Sequence, residues 1–234
     1  MNYNTKIIKF QLPENHTLGM PVASCLSVAT ADESNPLSRP YTPISQDTDV
    51  GFFTLMVKKY AKGPMSTYLH SLKPGDSIRI QGPWSSLKYE PNMKKEIGMI
   101  AGGTGLTPML QVIDKILSNP NDKTQVKLLF ANVKEADILL KDRLEELAKK
   151  HSNFQVFYTL DKPAKEWKGF QGHVNEDMIK KTMPLNANDS MILVCGPDGF
   201  LTHIAGAKNP DRSQGELGGL LKKMGLHAEQ VYKF

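Results

Sequence analysis

The sequence predicts two domains. An antiparallel β-barrel fills residues 1–83, and an α/β domain with a parallel sheet fills residues 97–234, with a linker at 84–96. Three observations predict this. Up to Gln81 the chain breaks into short β-rich or alternating runs separated by turn residues. From Ile97 onward, apolar runs alternate with helical patterns, as parallel strands joined by right-handed crossovers require. Between them, Trp84–Glu96 is polar and charged and carries a proline.

The elements follow in order. Thr5–Gln11 alternates, Val22–Thr30 is β-rich and Phe52–Lys58 alternates again. Ser66–Leu72 reads as a short helix. The Lys-Pro-Gly-Asp turn at Lys73–Asp76 leads to a strand at Ser77–Gln81. Strands at this spacing suit a small barrel. Strand Ile97–Ala101 then leads to a helix at Thr107–Ser118, with Thr107 as N-cap and Pro108 as first helical residue. Strand Gln125–Phe130 leads to a helix at Asp137–Lys150, where Leu139, Leu140, Leu144 and Leu147 share a helical spacing. Strand Phe154–Tyr158, a helix at Glu176–Lys181, strand Ser190–Cys195, a turn at Gly196–Gly199 and a helix follow. A helix at Glu216–Met224 and a strand at Gln230–Phe234 close the chain.

Composition narrows the class. The 234 residues are 40% hydrophobic and 23% charged, as in a globular protein. No window approaches the ~18 apolar residues of a membrane span, and no charged-then-apolar leader opens the chain. The chain therefore reads as soluble, with any anchor lying upstream of it. Two cysteines, Cys25 and Cys195, exclude a disulfide framework and offer no paired zinc ligands, which fits a reducing compartment without a metal site. The net charge of +5 comes from lysines spread along the chain without interleaved aromatics. That pattern argues against nucleic acid and for steering of an acidic partner.

The segment Ile97–Pro108 carries the most information. An apolar run stops at Gly102-Gly103-Thr104-Gly105, and a helix start follows. Such a turn lets backbone amides approach an anion and points a helix dipole at it. It matches neither the G-x-G-x-x-G fingerprint nor a P-loop. By itself it could equally be a close-packed helix start. In a parallel sheet, however, ligands bind beyond the carboxyl ends of the strands. Gly102–Gly105 and Gly196–Gly199 both fall there, which favours a nucleotide.

Three segments in order carry a resemblance: Arg39-Pro40-Tyr41-Thr42, then Gly102–Pro108, then Cys195-Gly196-Pro197. With Gly63–Leu69, Gly82-Pro83, Leu128–Asn132, Tyr158–Asp161 and Val231–Phe234, the chain resembles the ferredoxin-NADP reductase superfamily. Within it, it is similar to the NADH-cytochrome b5 reductase family, and to the mitochondrial and fungal-type members more than the mammalian type. The resemblance implies an FAD-binding β-barrel domain followed by an NADH-binding α/β domain. It assigns FAD to Arg39, Pro40, Tyr41, Thr42, Val57, Lys58, Tyr60, Gly63, Pro64, Met65, Ser66 and Thr107. It assigns NADH to Gly102, Gly103, Thr104, Gly105, Asp161, Cys195, Gly196 and Pro197, with Thr42 and Cys195 nearest the reacting rings.

Each implied role has a physical reason. Arg39 would pair with the flavin pyrophosphate, for which a planar, always-charged fork is suited. Tyr41 would lie along the flavin with its hydroxyl bonded. Asp161 would accept from the adenosine ribose hydroxyls and repel a 2′-phosphate. The implied reaction moves a hydride from NADH to non-covalent FAD between the two domains, then single electrons to an acidic haem protein, cytochrome b5. The alternative acceptor is a nitrate reductase-type partner or a quinone. A regulatory nucleotide-binding domain without turnover is the third reading. The resemblance further implies a monomer on the cytosolic face of an endomembrane or at a mitochondrial membrane, attached only through a segment outside this sequence. Departures from the family pattern are Tyr3 for histidine, Pro64 for the mammalian-type lysine, His173 for phenylalanine and Asp198-Gly199 for further prolines. The family also has an edge strand before Asn4.

Overall fold

The computed structural model describes residues 2–32, 34, 36–186 and 189–234. The chain divides into two compact units, Met1–Lys88 and Tyr89–Phe234, a break that falls inside the 84–96 segment.

Among the described residues, the first unit holds five strands and one helix. β1 (Thr5–Gln11) pairs antiparallel with β4 (Phe52–Lys58), Thr5 opposite Lys58. β2 (Ser24–Ala29) is the centre of a second antiparallel sheet, flanked by β3 (Ser38–Tyr41) and β5 (Arg79–Ser85). The two sheets and α1 (Pro64–Ser71) close on one apolar core. Leu26 and Val28 enter it from β2, Phe53, Leu55 and Val57 from β4, and Met65 and Leu69 from α1. On β2 every second residue is buried, which is the strand period of two. The barrel is thus built as two ladders around a shared interior.

Three expectations change here, one being the Ser77–Gln81 strand, which is found at Arg79–Ser85 and runs into the expected linker. Arg39–Tyr41 belongs to a strand, β3, which the sequence did not signal because Pro40 lowers strand propensity. Pro40 is tolerated because β3 is an edge strand that pairs only with β2. The helix starts at Pro64 rather than Ser66: Gly63 sits at the N-cap and Pro64 fills the first helical position, where its missing N–H costs nothing.

The second unit is a six-stranded sheet in the order β11-β10-β6-β7-β8-β9, every neighbouring pair parallel. The strands are β6 (Glu96–Gly102), β7 (Gln125–Asn132), β8 (Phe154–Leu160), β9 (Phe170–Gln171), β10 (Ser190–Cys195) and β11 (Val231–Lys233). Ile97, Met99, Ile100 and Ala101 on β6 are fully buried, as a central parallel strand demands. The chain steps outward from β6 to β9, then returns to lay β10 on the other side of β6. Right-handed crossovers place α2 (Leu106–Ser118) and α3 (Lys141–Lys150) on one face. They place α4 (Glu176–Thr182) on the opposite face, where it packs with α5 (Asp198–Ala205) and α6 (Gly219–Lys223) over Ile100, Leu129, Ile192 and Val194.

Several boundaries differ from expectation, among them the Glu216–Met224 helix, which spans only Gly219–Lys223. Thr107 is not the N-cap of α2. A 3-10 turn at Gly103–Gly105 runs straight into the helix, Gly105 takes the N-cap position, and the Thr107 hydroxyl turns back to donate to the Thr104 carbonyl at 3.1 Å. The Asp137–Lys150 helix is shorter, because Leu140 adopts a left-handed conformation (φ 52°) and the helix begins after it. Asp137 instead closes a 3-10 turn, its carboxylate accepting from the Lys134 N–H at 3.1 Å. The turn after β10 is short, since α5 already begins at Asp198.

Candidate functional site

The reversal of strand order fixes where a ligand can enter the second unit. β6 and β10 are neighbours, yet the chain leaves them in opposite directions, so their carboxyl ends flank a topological switch point. β6 ends in Ala101 and Gly102; β10 ends in Cys195, followed by Gly196 and Pro197. The sequence-predicted NADH residues Gly102–Gly105 and Cys195–Pro197 therefore meet at one edge. They meet closely: a Cβ on Gly105 would lie 2.2 Å from the Cys195 carbonyl oxygen and 2.8 Å from the Gly196 nitrogen. Gly102 and Gly196 both abut the Phe200 ring, with a Cβ falling 3.1 and 2.6 Å from it. Gly103 has φ +53° and open space around its Cβ position. Cys195 is held on a strand end, and burial pushes its thiol up to about 12, against smaller opposing effects of Lys208 and a Gly196 backbone bond. At neutral pH it is an uncharged wall, not a nucleophile.

Asp161 follows the last residue of β8, at the same carboxyl edge, with β7 between it and β6. Its N–H donates to the Asn132 carbonyl at 3.0 Å, and its side chain is about one-third exposed. The exposed His173 imidazole lies 3.6 Å from its carboxylate, an ion-pair distance too long for a hydrogen bond.

In the first unit the predicted FAD residues converge from three elements. Arg39 and Pro40 lie exposed on β3, and Tyr41 and Thr42 are half-buried at its end. Burial pushes the Tyr41 phenol up to about 12, with Tyr60 adding to the shift and Arg39 opposing it, which sets these three side chains in one neighbourhood. Ser66 ties Tyr60 to α1: its Oγ donates to the Gly63 carbonyl at 2.9 Å and accepts from the Tyr60 N–H at 3.1 Å. Val57 and Met65 bury their side chains in the barrel core, so a ligand could reach only their main chain. Lys58 ends β4 next to Val57, half-buried. Thr107 is in the second unit, 8% exposed.

The residues present fit an anionic dinucleotide in each unit. The start of α1 has no acidic residue in its first turn, and Gly63 is packed so tightly that a Cβ would lie 2.6 Å from Ser66 Oγ. That start is therefore bare backbone, and on β3 the exposed Arg39 guanidinium donates to the Ser38 carbonyl at 2.7 Å. In the second unit, the glycine pair Gly102 and Gly103 clears the switch point of side chains, and Asp161 offers a carboxylate for hydroxyl groups. Two further residues stand there. Phe200 backs the glycines from α5, and Asn132 ends β7 with a buried carboxamide whose Oδ1 and Nδ2 have no hydrogen-bond partner.

Comparison with known proteins agrees with this geometry. The Oxidoreductase FAD-binding domain family matches residues 1–89, and the Oxidoreductase NAD-binding domain family matches residues 99–206. Fold and site together define a two-domain flavin- and NAD-binding oxidoreductase. An NADH-cytochrome b5 reductase-like protein of Arabidopsis thaliana is 49% identical over the whole of this chain and 73% of its own length. NADH-cytochrome b5 reductase 2 of Mycosarcoma maydis is 47% identical over the whole chain and 69% of its own. The solved cytochrome b5 reductase domain of Ulva prolifera nitrate reductase superposes with a TM-score of 0.87 at 32% identity, covering all of this chain and 93% of that one. The chain belongs to the NADH-cytochrome b5 reductase family.

Proposed function

We propose that this chain passes electrons from NADH through FAD to cytochrome b5 or a similar acidic haem protein. The observation that carries the reading is the meeting of Gly105 with Cys195 at the switch point of a sheet in a chain of this family. FAD supplies the acceptor for a hydride and releases the electrons singly. Arg39 holds its pyrophosphate by charge-assisted bonds, together with the main chain of Gly63, Pro64, Met65 and Ser66. Pro40, Tyr41, Thr42, Val57, Lys58 and Tyr60 would complete the flavin surroundings in the first unit.

NADH lies along the carboxyl edge of the second unit, its nicotinamide against Gly102–Gly105 and Cys195–Pro197. Asp161 binds the adenosine ribose hydroxyls and disfavours a 2′-phosphate. Hydride transfer asks these residues for stacking and distance control, not for a strong acid or base. A protonated Cys195 suits this, because it shapes the pocket without reacting. The net charge of +5 supports an acidic partner, whose encounter it accelerates in a salt-dependent way.

The chain acts as a monomer at the cytosolic face of an endomembrane or at a mitochondrial membrane. No helix among the described residues is long and apolar enough to cross a membrane. Purified protein should carry yellow FAD, bleach on NADH addition and reduce cytochrome b5 faster than quinones. A colourless protein that does not take up FAD would overturn the flavin reading; faster quinone reduction would overturn the acceptor.

A further inference from the structure

Lys233 is 2% exposed, and the proposed electron transfer does not use it. Its ammonium donates to three main-chain carbonyls: Glu216 at 2.9 Å, Ala207 at 3.0 Å and Gly215 at 3.4 Å. All three of its donors are thereby taken by neutral oxygens. Burial, with Lys208 adding to it, holds the ammonium below the usual lysine range. A buried charge bonded to carbonyls alone is costly, and an apolar side chain in its place would avoid the desolvation.

The acceptors show what the charge does. They belong to the two ends of residues 207–216, which connect α5 to α6. The ends meet, because Gly215 has φ +63° and a Cβ there would lie 2.6 Å from the Ala207 carbonyl oxygen. The middle folds on itself. The Arg212 N–H donates to the Asn209 carbonyl at 2.8 Å, and Asn209 Nδ2 donates to Ser213 Oγ at 2.8 Å. Lys233 thus fastens a closed strap to β11.

β11 is the outer strand of the six-stranded sheet. On its inner side the Phe234 N–H donates to the Val194 carbonyl of β10 at 2.9 Å, so the N–H and C=O of Lys233 point outward. Such an open pair is a template for another strand. Gln214 of the strap fills it. Its Oε1 accepts from the Lys233 N–H at 2.8 Å, and its Nε2 donates to the Lys233 carbonyl at 3.0 Å. Two residues facing each other in an antiparallel ladder make the same double exchange. Lys208 Nζ donates to that carbonyl as well, at 3.2 Å. Two residues earlier, the Val231 N–H is taken by the Ala228 carbonyl.

We propose that the 207–216 strap guards the sheet edge: Gln214 stands in for a neighbouring strand, Lys233 rivets the strap, and together they keep β11 from pairing with β11 of a second copy of this chain. This rests on the monomer reading proposed above. A second copy is the partner excluded, because two β11 strands related by a twofold axis offer each other the same outward N–H and C=O.

The test uses FAD-loaded protein, sedimentation velocity and amide hydrogen exchange. Gln214→Ala removes the strand mimic, and Lys233→Met removes the rivet. Both variants should dimerise at concentrations where wild type sediments as a monomer. In dilute, monomeric Gln214→Ala the Lys233 N–H should exchange about tenfold faster than in wild type, and concentrating the sample should protect it again. Gln214 is half-buried on the strap, so its variant decides the matter if Lys233→Met fails to fold. Gln214→Ala that stays monomeric beside monomeric wild type would overturn the guard. So would dimers in which the Lys233 N–H stays unprotected, because the new contact then lies elsewhere. Wild type that already dimerises would overturn both the guard and the monomer reading it rests on.

Discussion

A side-chain carbon on Gly105 would lie 2.2 Å from the carbonyl oxygen of Cys195. These residues belong to turns that leave neighbouring parallel strands, β6 and β10, in opposite directions. Only a residue without Cβ lets the two turns touch, and the contact places a thiol, a helix start and open glycine backbone at one edge. The contact is made by the main chain of both turns, so a flexible side chain cannot relieve it.

Gly105→Ala should therefore be costly although its backbone conformation is ordinary. Either the β10 turn moves or the α2 start does. We expect a loss of about 1–3 kcal/mol, the range for overpacking, with a fall in kcat/KM for NADH. Gly103→Ala is the control: its φ of +53° strains any side chain, but nothing crowds the Cβ. It should cost about 1 kcal/mol. Urea denaturation of both variants checks the order, and equal losses would show that the Cys195 contact carries no weight.

Asp161→Asn should raise kcat/KM for NADPH relative to NADH by about tenfold, the equivalent of ~1.4 kcal/mol. In the proposed placement the carboxylate accepts ribose hydroxyls and would repel a phosphate at the same place, and Lys162 and Lys165 are basic neighbours in the chain. Steady-state rates with ferricyanide for both nucleotides give the ratio. A ratio that does not move would remove Asp161 from coenzyme choice.

Arg39→Ala should weaken FAD about tenfold or more, because the proposed charge-assisted contact with the pyrophosphate would be lost from an exposed position. Arg39→Lys should recover only part, since an ammonium cannot match the fork. Flavin content after gel filtration and Tm without added FAD separate binding from folding. Full flavin retention in Arg39→Ala would refute the pyrophosphate role.

The legible parts of the fold were those that local chemistry dictates. β6 reads as a strand because a buried parallel strand is continuously apolar, and β10 likewise. The Gly102–Gly105 and Cys195–Pro197 turns read as a ligand edge because strand and helix patterns alternate around them. What did not read was decided by tertiary contact. β3 contains Pro40 and becomes a strand only because β2 offers a partner. Leu139 and Leu140 keep a helical spacing with Leu144 and Leu147, yet Leu140 turns left-handed and the helix begins only after it. Asn132 looks like the last residue of an ordinary strand; its unpaired amide exists only once α2 and α3 cover that face. Phe200 is one apolar residue of α5 until Gly102 and Gly196 are seen to rest on its ring.

The state of Cys195 gives a pH prediction. Its thiol titrates near 9.0 in an unfolded chain and is pushed up to about 12 by burial. Below pH 9 both states hold the proton and pH does not affect the balance. Between pH 9 and 12 the unfolded thiol ionises while the folded one does not, so the unfolded state gains and stability falls as pH rises. Cys195→Ala removes this group, so the variant should lose less stability than wild type between pH 8 and 10.5 in urea titrations. The same shift keeps the thiolate fraction small at neutral pH. In a Cys25→Ser background, alkylation of native protein at pH 8 should be far slower than after denaturation. Native alkylation as fast as that of denatured protein would mean that Cys195 is an accessible thiolate, and would overturn its role as an inert wall of the nicotinamide pocket.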